Sequence, residues 1–185
     1  MDSIKRKVVL QGITPIMFDR YAGDNKTQLL PEQKMYLDEN NGLLLPSQNL
    51  HSFLSAVNTP SAVKAFYDVR KYRRVAQSLL GYVQIEPFNI PLKRNGKQIM
   101  WEGWGENGIT LHQSVARLEK GIPNPKERPM VDAPWSVEFN ITIWNNEEVS
   151  ETEVKNLFIK AGIPIGLGTY RGVYGKFCLE SWEKA

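Results

Sequence analysis

The sequence has a single cysteine, two histidines and no long apolar run. One cysteine, Cys178, excludes a disulfide within the chain and is typical of a reducing compartment; we expect it in the core. His51 and His112 have no second histidine or cysteine at ligand spacing, so we predict neither a metal site nor a cofactor. No segment approaches the roughly 20 apolar residues that cross a bilayer, and the start of the chain lacks the apolar part of a signal peptide. We therefore expect a cytoplasmic protein without a membrane partner.

The chain also lacks the sequence motifs of common catalytic sites. No Gly-Lys-Ser or Gly-Lys-Thr occurs, which excludes a Walker-type phosphate loop. Ser47 and Ser114 have no nucleophile-elbow context. The paired carboxylates of Glu151 and Glu153 suit the start of a helix, where acidic side chains favour the helix dipole. We therefore predict a protein that is not an enzyme.

Positive charge is unevenly distributed along the 185 residues. The net charge is only +3, yet one short segment carries a dense basic cluster made of Arg70, Lys71, Arg73 and Arg74. Clusters of this kind create a local positive potential that the net charge hides, and they also occur on ordinary solvated surfaces. With 42% hydrophobic residues, the chain is long enough to form one domain with a buried core.

The first half of the sequence predicts a strand, helices and a second strand. Residues 7–13 alternate as a strand, and Pro46 followed by Ser47 begins a helix whose buried face is Leu50, Phe53, Leu54 and Val57. Pro60 marks a second helix that carries the basic cluster at its far end. Residues 79–92 suit a strand broken by two prolines.

The middle of the chain, residues 93–134, is predicted to be an insertion into a single domain spanning residues 1–185. The pair Asn95 and Gly96 is typical of a hairpin turn, and Trp101 and Trp104 follow it. Residues 109–116 suit a returning strand. Residues 121–134 contain four prolines, so we expect an irregular loop there.

The second half predicts a strand, a helix and a final strand. Residues 135–144 alternate between apolar and polar side chains, which indicates a half-buried strand. Ser150 and Glu153 form a capping box at the start of a helix, Gly162 ends that helix as a C′ glycine, and residues 174–182 alternate again. The order β-α-β-β-α-β predicts an α+β fold, a ferredoxin-like or RRM-like antiparallel sheet with two helices.

The most informative segment lies between the last helix and the last strand. Four glycines in ten residues, Gly166, Gly168, Gly172 and Gly175, surround Tyr170, Arg171 and Tyr174, and Lys176 follows. A dinucleotide fingerprint is excluded because the helix comes before the glycines and not after them. Two interpretations stay open: the glycines let the helix and strand pack tightly, or they let a ligand approach the main chain.

Three segments together resemble the RAMP superfamily, the RNA-binding subunits of CRISPR effector complexes and related RNA endonucleases. They are residues 12–15 (GITP), 44–50 (LLPSQNL) and 166–177 (GLGTYRGVYGKF). The chain is also similar to short proteins of bacteriophage genomes that share the Gly-x-Gly-x-x-Arg motif. The resemblance covers the two ends of the chain and not its middle. It implies a bacterial cytoplasmic protein, of host or phage origin, whose partners are RNA, CRISPR-type subunits or further copies of itself.

Two classes of function follow from these observations. In the first, the chain binds single-stranded nucleic acid, RNA in preference to DNA. The glycines then admit the phosphate backbone, the cations neutralise it and the aromatic rings stack on bases. The candidate residues are Gly166, Gly168, Tyr170, Arg171, Gly172, Tyr174, Gly175, Lys176, Arg70, Lys71, Arg73, Arg74, Trp101 and Trp104.

In the second class, the chain binds proteins, as an anti-defence inhibitor that mimics a host nucleic-acid complex or as a subunit of a homo-oligomer. Tryptophan and arginine are favoured at protein interfaces too, so these residue types do not separate the classes. Asp19 lies where some RAMP proteins have a catalytic aspartate for RNA cleavage, and an ordinary solvated loop aspartate is the alternative. We expect a chain without this activity.

Overall fold

A computed structural model describes residues 2–117 and 119–185 of the chain; Leu118, in the region predicted to be an insertion, lies outside the described residues. The first strands and helices in chain order are β1 (Ser3–Gly12), β2 (Ile16–Met17), β3 (Leu44–Pro46), α1 (Ser47–Ser55), α2 (Ala62–Phe66) and α3 (Tyr72–Tyr82). They are followed by β4 (Val83–Glu86), β5 (Asn89–Arg94), β6 (Lys97–Gln98), β7 (Ile109–Arg117), β8 (Pro123–Val131), β9 (Ser136–Trp144), α4 (Glu151–Ala161) and β10 (Phe177–Lys184).

The larger sheet is antiparallel and contains the ferredoxin-like strand arrangement. Its order is β10-β1-β9-β5-β3, with β4 also paired to β9 and β6 to β5. Strands β1, β4, β9 and β10 are the four strands of the β-α-β-β-α-β pattern, in the spatial order β10-β1-β9-β4. The α+β fold with an antiparallel sheet is therefore confirmed. Its division into one domain with an insertion stays a prediction.

The helices cover one face of this sheet and enclose the core. The apolar positions of β9, predicted from their alternation, are buried: Val137, Phe139, Ile141 and Ile143. The helix α1 contributes Leu50, Phe53 and Leu54, while Val57, expected on the same face, is exposed because α1 ends at Ser55. Phe53 stacks on Phe158 of α4 at 5.5 Å between ring centroids, which joins the two helices across the core.

A third helix takes the first four residues of the strand expected at residues 79–92. Helix α3 takes residues 72–82, and the strand that follows is broken into β4 and β5, both paired to β9. The helix buries Val75, Ala76 and Leu79, which have helical spacing. The prediction that the basic cluster lies at the far end of one helix is therefore wrong. Arg70 and Lys71 lie in the turn between α2 and α3, and Arg73 and Arg74 in the first turn of α3.

The proline-rich segment predicted to be a loop is strand β8. It pairs with β7 along its whole length and with β2 at its end, forming a second sheet of order β2-β8-β7. The main chain of Pro129 faces away from β7, because its carbonyl accepts the Phe18 N–H at 3.1 Å. Pro123 and Pro125 lie an even number of residues away and face the same side. The prolines therefore remove no donor from the β7–β8 ladder, and a strand is possible.

Two details at the C-terminal end differ from expectation. The capping box of Ser150 and Glu153 is confirmed, but Gly162 adopts a right-handed conformation (φ −55°) and is not a left-handed C′ glycine. A side chain there would meet the carbonyl oxygen of Phe177. Cys178 is exposed and does not lie in the core, because it pairs with Gln11 on the face of the sheet opposite the helices.

In the described part of the chain, no helix is both long and apolar enough to cross a membrane.

One basic side chain of the middle region holds three segments together. The Arg94 guanidinium donates to the carbonyl oxygens of Asn107, Asp132 and Pro134 at 2.5, 2.6 and 3.0 Å. This side chain therefore fixes the loop before β7 and the loop after β8 to β5.

Replacing Arg94 with alanine should destabilise the fold. Each lost bond leaves a carbonyl without its charged donor, and we expect a loss of about 2 kcal/mol in the free energy of unfolding. Urea denaturation followed by circular dichroism measures it. Lys97→Ala, an exposed cation of the same hairpin, is the matched control and should change stability by less than about 0.5 kcal/mol. Equal effects of the two variants would contradict the bracing role of Arg94.

Candidate nucleic-acid interface

The glycine-rich loop, residues 162–176, is held by main-chain hydrogen bonds to the segment after β1. Gly175 N–H donates to the Pro15 carbonyl at 2.7 Å, and Thr169 N–H donates to the Met17 carbonyl at 2.8 Å. The loop also closes on itself, since Leu167 N–H donates to the Gly175 carbonyl at 2.9 Å. These bonds give the loop one defined path across the end of β1.

The inner glycines of the loop face other main chain. A Cβ on Gly168 would lie 2.5 Å from the Met17 carbonyl oxygen, and one on Gly175 would overlap the Leu167 carbonyl. Both residues have positive φ, +80° and +72°, which favours glycine. Gly166 is enclosed in the same way by Tyr174 and Gly175. Close internal packing therefore explains three of the four glycines, and a partner would meet the loop on its other side.

The outer side of the loop carries aromatic rings. Tyr170 is 56% exposed, and its ring centroid lies 5.7 Å from that of Tyr174. The Tyr174 ring in turn lies 5.5 Å from the ring of His112 on β7, in an edge-to-face arrangement. We call Tyr170, Tyr174 and His112 the aromatic row. It connects the loop with the second sheet.

Arg171 points inward from the same loop. Its Nη2 donates to the Ser52 hydroxyl on α1 at 2.7 Å, while Nη1 is buried and has no hydrogen-bond partner among the described residues. Burial also lowers the pKa of the Arg171 guanidinium below its usual range. A buried donor without an acceptor lowers the stability of the fold. A guanidinium without a carboxylate partner is suited to binding an anion.

A groove between α1 and α3 is lined by Ser52, the residue that accepts from Arg171, and by Arg73 of the basic cluster. The groove has a volume of about 620 Å³, and Ser52, His51 and Arg73 line it. Burial lowers the pKa of His51, which favours its neutral form. The same Ser52 that binds Arg171 thus lines a groove bordered by Arg73. Of the remaining cluster, Arg74 is paired with Glu148, and Arg70 and Lys71 are exposed.

The two tryptophans of the middle region form a separate feature. Their ring centroids are 4.8 Å apart; Trp101 packs against the core and Trp104 is 39% exposed. The main-chain N–H of Trp101 donates to the Asn41 carbonyl at 2.8 Å. No hydrogen bond or ring contact within residues 2–117 and 119–185 joins this pair to the aromatic row. The structure therefore does not bring the tryptophans together with the loop tyrosines.

Asp19, the candidate catalytic residue, is paired with two cations. Its carboxylate accepts from Arg128 Nε at 2.8 Å and lies 3.8 Å from Lys34 Nζ. These bonds fasten the loop after β2 to β8 and to the 3₁₀ turn at Pro31–Lys34. Across the described ranges, no three His, Cys, Asp or Glu side chains are grouped to hold a metal ion.

The sheet face opposite the helices differs from the aromatic stacking surface of an RRM. Its centre carries Lys7, Glu138 and Lys93, and the carboxylate of Glu138 lies 3.3 Å from Lys7 Nζ and 3.9 Å from Lys93 Nζ. The single carboxylate of Glu138 is therefore shared by the two lysines. The aromatic row on the loop is thus a better candidate for base contacts than this face.

Two of the groups that form this site have no sequence motif that marks them as part of it. His112 is one, because nothing in the sequence places β7 beside the glycine-rich loop. Asn49 and Ser52, one helical turn apart on α1, hold the loop through Gly168 N–H (2.9 Å) and Arg171. Their spacing was a possible signal, since i and i+3 side chains share a helix face.

No protein-family model and no curated protein sequence matches the chain. Among solved structures, the chain is similar to a chain in the cryo-EM structure of the Type III-B Cmr-beta bound to cognate target RNA, with a TM-score of 0.62 and 12% sequence identity. The similarity covers 98% of this chain and 60% of the other, so this protein spans less than two thirds of the length of that neighbour. At this identity the similarity is one of fold.

Adding a methyl group at Gly175 should disrupt the loop far more than adding one at Gly172. Both residues have positive φ (+72° and +86°), but a Cβ on Gly172 would meet the Pro164 carbonyl oxygen at an ordinary 3.6 Å, whereas one on Gly175 would overlap the Leu167 carbonyl. We expect Gly172→Ala to cost about 1–2 kcal/mol of unfolding free energy from backbone strain alone. Gly175→Ala should cost several kcal/mol more or prevent folding. Thermal unfolding of both variants tests this, and equal costs would contradict the close approach at Gly175.

Proposed function

We propose that this chain is a non-catalytic protein that binds single-stranded nucleic acid, RNA in preference to DNA, with the outer side of its glycine-rich loop. The observation that carries the proposal is the aromatic row, in which an exposed tyrosine leads through a second tyrosine to a histidine. Proteins that recognise single strands stack splayed bases on tyrosine, histidine and other rings. A strand bound along this row would place successive bases on Tyr170 and Tyr174.

Arg171 and Lys176 of the loop, together with the basic cluster, supply the phosphate contacts in this proposal. Arg171 has a buried Nη1 without a partner among the described residues, and Lys176 follows Gly175 at the end of the loop. Arg73, with Arg70 and Lys71 close to it in sequence, borders the groove that Ser52 also lines. Phosphate groups would satisfy these donors, and neutralising them releases counterions from the strand.

The fold supports an RNA-related role. Its structural neighbour belongs to a Type III-B Cmr-beta assembly bound to cognate target RNA. On this basis we propose that the chain is a RAMP-like subunit that acts in a CRISPR-type complex or assembles along the strand with further copies of itself. Membership of the short phage-encoded group is a hypothesis based on the Gly-x-Gly-x-x-Arg motif alone.

Absence of catalysis is part of the proposal. The two cations that hold the Asp19 carboxylate occupy its oxygens and fix it to β8. An aspartate held in this way is suited to bracing a loop. We therefore assign Asp19 a structural role and propose that bound RNA stays intact.

The alternative is a protein-binding module, and one observation favours it. The face of the β7–β8 hairpin turned to solvent carries the apolar side chains of Val115 and Leu111, with Ile122 exposed at its end. Exposed apolar side chains of this kind are common at protein interfaces. An inhibitor that mimics a nucleic-acid complex, or a homo-oligomer subunit, would use this face and would bind no oligonucleotide at low salt.

Tyr170→Ala and Tyr174→Ala should each weaken the binding of a labelled single-stranded RNA. Loss of one stacked base costs about 1–3 kcal/mol, which corresponds to about 5- to 150-fold in Kd. Fluorescence polarisation at low salt measures the affinity. Val173→Ala, at a 51% exposed position between the two tyrosines, is the matched control and should bind like the wild type. No binding of RNA by the wild-type chain at low salt would refute the proposal.

Arg171→Ala should reduce the salt dependence of RNA binding as well as the affinity. Each phosphate contact to a single strand contributes about 0.7 to the slope of log Kd against log salt concentration. We therefore expect the slope to fall by about 0.7 in Arg171→Ala and to be kept in Arg171→Lys. Thermal melts identify any variant whose loop is unfolded. A slope unchanged in a folded Arg171→Ala protein would mean that Arg171 only braces α1.

A further inference from the structure

A second concave site lies away from the glycine-rich loop, between the loop after β2 and strand β8. Its volume is about 730 Å³, within the range of small-molecule sites, about 300–1,000 Å³. We call it the loop cleft. One wall is formed by residues 19–34 and the other by residues 124–127. The aromatic row, Arg171 and the groove between α1 and α3 share no residue with the loop cleft.

The walls of the loop cleft are held at a fixed separation by charged side chains. Asp19 is bonded to Arg128 on β8 at 2.8 Å, and Lys34 Nζ donates to the Glu127 carbonyl at 2.7 Å. The main-chain N–H of Arg20 also donates to the main-chain carbonyl of Lys34 at 3.0 Å, which closes the base of the loop. The cleft is therefore braced at one end and open along its length.

The carboxylates that line the cleft are already satisfied. Asp19 is paired as above, and Glu127 accepts from the Gln113 amide at 2.9 Å. Asp24 accepts from the Thr27 hydroxyl and from the main-chain N–H groups of Thr27 and Lys26, and these bonds hold the pKa of Asp24 below its usual value. Among the described residues, none of these three carboxylates forms an ion pair with Arg20 or Lys126.

Two cations of the cleft have no such partner. The side chains of Arg20 and Lys126 make no hydrogen bond or ion pair with the described residues. The Arg20 guanidinium lies over the ring of Tyr36 at 5.9 Å, which positions it without neutralising its charge. The cleft therefore offers two free positive groups to an anion.

The remaining polar groups suit a heterocyclic base. Asn25, Gln28 and Asn124 line the cleft, and a carboxamide presents a donor and an acceptor side by side, as the edge of a base requires. Tyr21 is 64% exposed, and its hydroxyl donates to Asn25 Oδ1 at 3.1 Å, which orients its ring. Cations, carboxamides and an exposed ring thus correspond to the phosphate, the base edge and the base face of one nucleotide.

We infer that the loop cleft binds one 5′-nucleoside monophosphate unit, with its phosphate at Arg20 and Lys126 and its base against Tyr21 and the carboxamides. The choice of ligand class rests on the proposed function, whereas the site itself is separate from the aromatic row. The unit is either a free nucleotide or one residue of a bound strand, since both have the same chemistry.

Titration of the isotope-labelled full chain with AMP, GMP, CMP and UMP, followed by amide NMR spectra, tests the inference. At least one nucleotide should shift the amides of residues 20–28 and 124–127 and leave those of residues 166–175 in place. Inorganic phosphate should bind these positions at least about tenfold more weakly, because it lacks the base. No shift in the cleft at millimolar nucleotide, or equal affinity for inorganic phosphate, would overturn the inference.

Matched variants test each part of the site. Arg20→Gln with Lys126→Gln should weaken nucleotide binding by about tenfold or more, while Lys160→Gln, an exposed cation of α4, should not. Tyr21→Ala should weaken nucleotide binding and leave phosphate binding unchanged. Tyr21→Phe keeps the ring and should bind within about twofold of the wild type, since it loses only the bond to Asn25. Equal loss in Tyr21→Phe and Tyr21→Ala would contradict stacking.

A single-stranded RNA 12-mer added to the nucleotide-bound protein distinguishes the two sources of the ligand. Displacement of the nucleotide by RNA assigns the cleft to one residue of a strand, and retention of the nucleotide assigns it to a free nucleotide; both support the cleft. The proposed function fails separately, through the Tyr170 and Tyr174 variants, whose effects on RNA affinity do not involve the cleft.

Discussion

The close approach of two main-chain segments determines the shape of this protein's candidate interface. The glycine-rich loop lies directly against the chain that leaves β1, and the contact consists of N–H groups meeting carbonyls at Pro15 and Met17. Side chains at Gly168 or Gly175 would prevent that contact. The end of β1, the start of β10 and helix α1 all contact this loop, so their relative positions depend on it.

The contact divides the loop into an inner and an outer side with different chemistry. The inner side is main chain against main chain, with Asn49 of α1 accepting one further N–H. The outer side carries the two tyrosines, and it reaches the second sheet through His112. Glycine and aromatic residues therefore serve two purposes within ten residues: the glycines build the support, and the rings form the surface that a partner can touch.

Charged residues follow a comparable division between structural and available groups. Arg94, Arg128 and Arg74 are engaged with carbonyls or carboxylates and hold segments together. Arg171, Arg20 and Lys126 lack anionic partners among the described residues, and they lie at the two concave or loop sites discussed above. A net charge of only +3 conceals this difference, because it adds bracing cations and free cations together.

The sequence by itself determined the elements with strong local signals: the alternation of β9, the capping box of Ser150 and Glu153, the turn at Asn95, and the order that makes an α+β antiparallel fold. It also marked the loop and its rings as the place of interest. Local signals gave the wrong structure in two places. The prolines of residues 121–134 predicted a loop, but they face away from β7 and the segment pairs as β8. The basic cluster was expected to end a helix, but helix α3 begins within it. Only the tertiary structure decided that three glycines face the chain's own backbone, that Arg171 turns inward to Ser52, and that His112 joins the tyrosines. The contacts of Gly168 with Met17, of Arg171 with Ser52 and of His112 with Tyr174 join residues more than 50 positions apart, and no local period in a sequence specifies which distant segments will meet.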